Sequence, residues 1–125
     1  MKTVYVAHSK EFPFESDLYE PIRKSILSKQ YHFIFPHEGG KLVNSKESIT
    51  SCDIFLAELS IPGTGMGIEI GWADMLGKPI LTFHQASKDP GRGISFVAKE
   101  VIPYQNVNDF IEKLTAALER FDHSK

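Results

Sequence analysis

The chain predicts a single-domain α/β fold, a flavodoxin-like or Rossmann-like three-layer sandwich on a parallel sheet of about five strands. Three observations carry that expectation. Short runs of β-branched, aromatic and aliphatic residues alternate with stretches of helical period, which is the pattern of βαβ units. The run from Ile54 to Leu59 is too short for a helix and too unbroken for a half-exposed strand, so it suits a central strand buried on both faces. A length of 125 residues with 42% hydrophobic content can bury one core without cross-links.

Taken in order, Thr3 to Ala7 reads as the first strand and enters a loop at His8 and Ser9. Phe12, Pro13 and Phe14 follow, either as a lid that stacks on a flat ligand or as packing against the core or a second subunit. Asp17 and Glu20 fit a capping box, and Leu18, Ile22 and Ile26 recur along a helix predicted to end near Lys29. His32 to Phe35 is the second strand, stopped by Pro36, and the polar stretch from His37 to Val43 has no usable period. Asn44 with Glu47 suggests a second capping box, opening a short helix over Ser45 to Ser51. After the central strand, Gly63, Thr64, Gly65 and Gly67 form a turn into a helix from about Met66 to Leu76. Gly77 stands at its C′ position and Pro79 just beyond. Ile80 to Phe83 is a buried strand. Asp89-Pro90-Gly91 marks a turn, Ile94 to Ala98 a short helix, and Val101 and Ile102 an edge strand closed by Pro103. Phe110, Leu114, Leu118 and Phe121 give the last helix one apolar face.

The composition narrows the function. A net charge of −2 without a Lys/Arg block argues against nucleic-acid and polybasic membrane partners, while leaving small nucleotides open. No apolar run approaches the ~20 residues of a membrane span, and MKTVYVAHS is too strand-like for a signal peptide, so a cytoplasmic location is expected. Cys52 is the lone cysteine and heads the central strand, where it reads as a small core residue.

In a sheet of flavodoxin-like order, ligands bind beyond the carboxyl ends of the strands, near the switch in strand order. That rim is expected to collect His8, Ser9, His37, the Ser60 to Gly67 loop and His84. The glycine loop leading into a helix is an anion site in waiting, because unpaired N–H groups and the helix dipole favour a phosphate or carboxylate there. Neither GxGxxG nor GK[ST] is present. Glu69 is expected in the first helical turn, either as a dipole complement or as an ionised stabiliser or nucleophile. The three rim histidines have neither the spacing nor the cysteine company of a metal site, so no metal and no cofactor is assigned.

The segment GTGMGIEIGWA, preceded by DIFLAELS and followed by GKPIL, resembles the nucleoside 2-deoxyribosyltransferase superfamily, and most its deoxynucleoside 5′-monophosphate N-glycosidase branch. VYVAHS with DLYEPI near the start and GRGIS at Gly91 to Ser95 extend the resemblance from Val4 to about Ala98. What it implies is specific. Glu69 corresponds to the nucleophile, and Tyr5, otherwise a core residue, to a tyrosine that hydrogen-bonds it. Ser9, the Gly63 to Gly67 backbone, Thr64 and Ser95 correspond to contacts with the 5′-phosphate. In the family's dimers Ser95 reaches in from the neighbouring subunit, so a homodimer is implied, with Arg92 adding charge nearby. His8 joins the substrate-binding set by its place on the rim. Two positions depart from the pattern. Ser45 stands where the family has an aspartate, eight residues before Asp53, and Gly63 where the branch has a serine. Glu47, Glu58 or a rim histidine are the candidates to replace that acid. The expected activity is cleavage of the base–sugar bond of a nucleotide. The alternatives are transfer of the sugar to a second base, and a nucleotide-binding or signalling module without turnover.

Overall fold

In the computed structural model, which describes residues 1–40 and 44–123, five strands form one parallel sheet in the order β2-β1-β3-β4-β5. The strands are β1 (Thr3–His8), β2 (His32–Ile34), β3 (Ile54–Glu58), β4 (Ile80–Gln85) and β5 (Glu100–Tyr104). The helices are α1 (Glu20–Lys24), α2 (Leu27–Gln30), α3 (Ser45–Ser51), α4 (Thr64–Met75) and α5 (Val107–His123). Positions 41–43, the end of the stretch without period, lie outside the described residues. The α/β sandwich and its flavodoxin-like strand order are as the sequence predicts.

Because side chains alternate across a strand, each strand feeds two cores. Val4, Val6, Ile54, Leu56, Leu81 and Phe83 face Leu18, Ile22, Leu27, Phe110, Leu114 and Leu118 of one helical layer. Tyr5, Ala7, Phe55, Ala57 and Ile80 face Ile49 of α3 and Met66 and Ala73 of α4. Each fully buried aliphatic or aromatic side chain contributes roughly 1.5–3 kcal/mol over leaving it in water. Cys52 is buried in the second core, and burial pushes its thiol up.

Several elements differ from expectation for local reasons. The first helix is not continuous. A π-helical turn over Glu15–Tyr19 leads into α1, with Asp17 making no cap, and Ser25 adopts an extended conformation. The Ser25 hydroxyl donates to the Ile22 carbonyl and accepts from the Leu27 amide, which resets the helical phase. Leu27 is therefore buried and Ile26 is 58% exposed. Asn44 occupies the N-cap position of α3 without a side-chain cap. Pro103 does not close β5 but lies within it, opposite His84, which an outer-edge strand tolerates because no neighbour needs its missing N–H. Phe12 is buried and Phe14 packs on the same core, so these aromatics are packing rather than a free lid. Helix α4 begins at Thr64, two residues earlier than expected, and Gly77 ends it at φ +72°, a conformation a Cβ would strain. As a consequence Glu69 sits in the second turn, not the first.

Candidate active site

A cavity of about 520 Å³ opens at the carboxyl edge of the sheet, where β1 lies between β2 and β3 and the strand order switches. It is bounded by His8 and Ser9 at the end of β1, Pro36 and His37 after β2, Ser45 at the start of α3, and Pro62 to Met66 with Glu69 from the β3–α4 turn and α4. Lys10 and Glu11 complete its rim.

Strand parity turns Tyr5 towards α4, and its hydroxyl donates a 2.7 Å hydrogen bond to Oε2 of Glu69. The phenol ring is fully buried and stacks on Phe55 at 5.6 Å. Burial first, and then the Glu69 charge and hydrogen bond, push the phenol well above its ordinary range; Ser45, which also reaches it, pulls the other way. Tyr5 is therefore a protonated, permanent donor to the carboxylate. Among the described residues Oε1 of Glu69 has no hydrogen-bond partner, and the side chain lines the cavity.

One end of the cavity is built for an anion. Gly63 is the N-cap of α4 and no side chain caps that end. The amides of Thr64, Gly65 and Met66 have no helical carbonyl behind them, whereas the Gly67 amide donates to the Gly63 carbonyl at 3.0 Å and is spent within the helix. Gly63 also solves a packing problem. A Cβ there would stand 3.1 to 3.2 Å from the Cβ and Cα of Ser9, so a glycine lets the two loops close on each other. Ser9 is buried, and its hydroxyl accepts from the Glu11 amide at 3.1 Å.

The histidines divide three ways. His8 is buried, its Nδ1 bonded to the Ser9 carbonyl at 2.9 Å and its Nε2 to the Tyr19 hydroxyl at 2.6 Å. The carbonyl can only accept, which fixes the Nδ1–H tautomer and makes Nε2 the acceptor. Burial lowers its pKa to about 4. His8 is a neutral wall of the cavity with both nitrogens engaged. His37 is exposed at the cavity mouth, its ring packed on His8 and Phe14. His84 does not line the cavity; its Nδ1 bonds to the Gln85 carbonyl. Among the described residues no three His, Cys, Asp or Glu side chains converge as metal ligands would.

Tyr5, His8, Ser9, Gly63, Thr64, Gly65 and Glu69 are thus brought together, while Arg92 and Ser95 are not joined to them within one chain. Those two are exposed on a 3-10 turn, Arg92–Phe96, and neither lines the cavity. Of the candidates for the missing acid, Glu47 is exposed outside the cavity. Glu58 points to the opposite face of the sheet, sealed by Ser60 and Tyr104. Asp53 is bonded to the Thr3 amide at the amino end of the sheet. Pro62 and Met66, within the Ser60 to Gly67 loop expected on the rim, and Pro36, read from the sequence only as the stop of the second strand, complete the lining.

No family profile matches the chain. A solved structure of the CMP N-glycosidase BcmB of Clostridium botulinum superimposes with a TM-score of 0.65 at 28% identity, covering 91% of this chain and 99% of that one. The chain resembles the nucleoside 2-deoxyribosyltransferase superfamily. A curated protein of Thermofilum pendens, "Putative 2'-deoxynucleoside 5'-phosphate N-hydrolase 1", is 29% identical over 75 residues, which is 56% of this chain and 52% of the relative. The match spans about half the length of that relative. A conserved protein of Enterococcus faecalis has the same fold, with a TM-score of 0.68 at 17% identity over 94% of this chain and 99% of that one.

Proposed function

We propose that the protein cleaves the base–sugar bond of a (deoxy)nucleoside 5′-monophosphate, with Glu69 as the nucleophile. The observation that carries this reading is the Tyr5–Glu69 hydrogen bond beside an uncapped helix N-terminus in one cavity. The 5′-phosphate sits on the amides of Thr64, Gly65 and Met66, with the hydroxyls of Ser9 and Thr64. Glu69 lies five residues into α4, about 7.5 Å of helical rise from that end, which places it below the sugar rather than the phosphate. Tyr5 holds Oε2 and leaves Oε1 to attack C1′ as positive charge develops on the ring. The glycosyl-enzyme ester is then hydrolysed by water, the logic of a retaining glycosidase. The names of two relatives, a CMP N-glycosidase and a "Putative 2'-deoxynucleoside 5'-phosphate N-hydrolase 1", support the same substrate class.

Arg92 and Ser95 take part if a second copy brings its turn over the cavity. The surface supports such a homodimer. Phe96 beside Ser95 is 90% exposed, and Ile68 and Met75 on the outer side of α4 are 50% and 86% exposed. Light scattering giving a dimer at micromolar concentration agrees with this; a monomer that nonetheless turns over nucleotide assigns phosphate binding to one chain.

Incubation with ribo- and deoxynucleoside monophosphates, CMP included, with and without a free base, tests the activity. Chromatography resolving free base and sugar phosphate supports hydrolysis, and a new nucleotide formed only with added base supports transfer. Ser45 favours one rival, a module that binds nucleotide without turnover. Tight binding by calorimetry with no base released over hours would establish that rival.

A further inference from the structure

Loss of a nucleobase from C1′ leaves an electron pair on a ring nitrogen, and an ordinary base departs slowly unless a proton meets that pair. Most titratable groups of the cavity cannot supply it. Tyr5 engages its proton in the hydrogen bond to Glu69, and burial makes it a very weak acid. His8 donates its only N–H to the Ser9 carbonyl and presents an acceptor to Tyr19. Lys10 and Glu11 follow Ser9 on the loop that closes against Gly63, at the anion end. Ser45, beside the Tyr5 hydroxyl, has no acidic proton. His37 is the remaining group, across β1 from the glycine loop and in the same cavity as Glu69.

We infer that His37 is the general acid and base of the reaction, an assignment that rests on the glycosidase reading above. Its position is fixed rather than incidental. The His37 amide donates to the Tyr19 hydroxyl at 3.1 Å, Tyr19 donates to His8 Nε2, and His8 donates to the Ser9 carbonyl. This chain of hydrogen bonds ties the β2 loop to the end of β1, so His37 is held at the mouth while its imidazole stays open to a ligand. In the first step an oxygen of Glu69 bonds to C1′, the C1′–N bond breaks, its pair goes to the base nitrogen, and protonated His37 gives that nitrogen its proton. In the second step neutral His37 takes a proton from water as the water oxygen bonds to C1′ and the ester bond to Glu69 breaks. The sum is nucleotide plus water giving free base and sugar phosphate, with both residues restored.

The test compares His37→Gln and His37→Asn with the wild type on two forms of one nucleotide. One form carries the ordinary base. The other carries the base methylated on a ring nitrogen, N7 for guanine or N3 for cytosine, so that it leaves as a neutral molecule without a proton. The inference predicts a loss of roughly 10²- to 10⁴-fold in the single-turnover rate of base release from the ordinary nucleotide, the usual scale of general acid catalysis, with nucleotide affinity nearly unchanged. On the methylated form base release by the variants in a single turnover should match the wild type within about threefold, since no proton is needed in that step. Equal losses on both forms, or no loss on either, would overturn it, because a structural role for His37 does not distinguish leaving groups. The exposed position of His37 predicts an unchanged melting temperature, and two variants guard against an idiosyncratic one. A wild type that releases neither base refutes the glycosidase reading itself, and this assignment with it.

Discussion

Two tyrosine–glutamate pairs lie on opposite faces of the same sheet, and their surroundings differ in a way that separates an accessible carboxylate from a sealed one. Glu58 receives the Ser60 amide and hydroxyl, each at 2.7 Å, and the Tyr104 hydroxyl, and is 1% exposed. Every direction from which it could act is filled. Burial raises its carboxyl above the usual range, against the three hydrogen bonds that pull it down. Among the described residues Glu69 receives one hydrogen bond, from Tyr5, and its side chain lines a cavity. The same residue types thus build a sealed strut under the β3–α4 turn in one place and an oriented, unspent carboxylate in the other. In this fold the cavity, rather than a raised pKa, distinguishes the carboxylate that a ligand can reach from the one that it cannot.

The comparison can be broken most severely at Glu69. Glu69→Gln keeps the Tyr5 hydrogen bond and the shape, so turnover should fall by several orders of magnitude while nucleotide affinity holds or rises, as kinetics and calorimetry would show. Retained base release with a slightly lower melting temperature would return Glu69 to the role of a helix residue. Tyr5→Phe is the next largest effect. Loss of the hydroxyl should lower kcat roughly 10- to 100-fold through misplacement of the carboxylate, with KM nearly constant. A KM effect alone would assign Tyr5 to binding.

Tyr104→Phe makes the equivalent deletion on the other face and should behave in the opposite sense. Removing one donor from a buried carboxylate is expected to cost roughly 1–3 kcal/mol in denaturant unfolding while leaving kcat near wild type. A large kcat loss would show that the strut shapes the site directly. The smallest effect is in the pH dependence of Glu58. Its folded-state pKa is raised, so the folded chain holds the proton more tightly than the unfolded one. Its contribution to stability is fully present below the unfolded carboxylate value and is lost as pH rises through the folded one. Glu58→Gln removes that titration, so the variant should gain stability relative to wild type between pH 4 and neutrality, measured by denaturant midpoints along the series. A constant difference would mean Glu58 titrates as if in water.

The contrast also marks what the sequence could disclose. The central strand, the order of the sheet and the end of α4 at Gly77 were legible because apolar runs and positive-φ glycine leave local signatures. The break at Ser25 was not, since two side-chain bonds to neighbouring backbone outweigh a helical period that continues through Ile26. Strand parity puts Tyr5 on one face, but which helix covers that face is a tertiary fact, so the pairing with Glu69 came from resemblance and not from pattern. Glu58 stood among the candidates for the replacement acid because its partners are not visible in the sequence. Only the fold shows Ser60 doubling back and Tyr104 arriving 46 residues later to satisfy it. The convergence of His37, Ser45 and Glu69 joins three distant segments: strand order put His37 on the rim and resemblance paired Ser45 with Glu69, while local pattern gave no such grouping.

The most direct test of the central claim is to look for the ester on Glu69. The protein would be mixed with a cleavable nucleoside monophosphate, quenched in acid within its turnover time, and the intact mass and peptide map read by mass spectrometry. Transient addition of one sugar phosphate, confined to the peptide bearing Glu69 and absent from Glu69→Gln, is the result predicted. Base release at the normal rate with no adduct, or an adduct on another residue, would contradict the account.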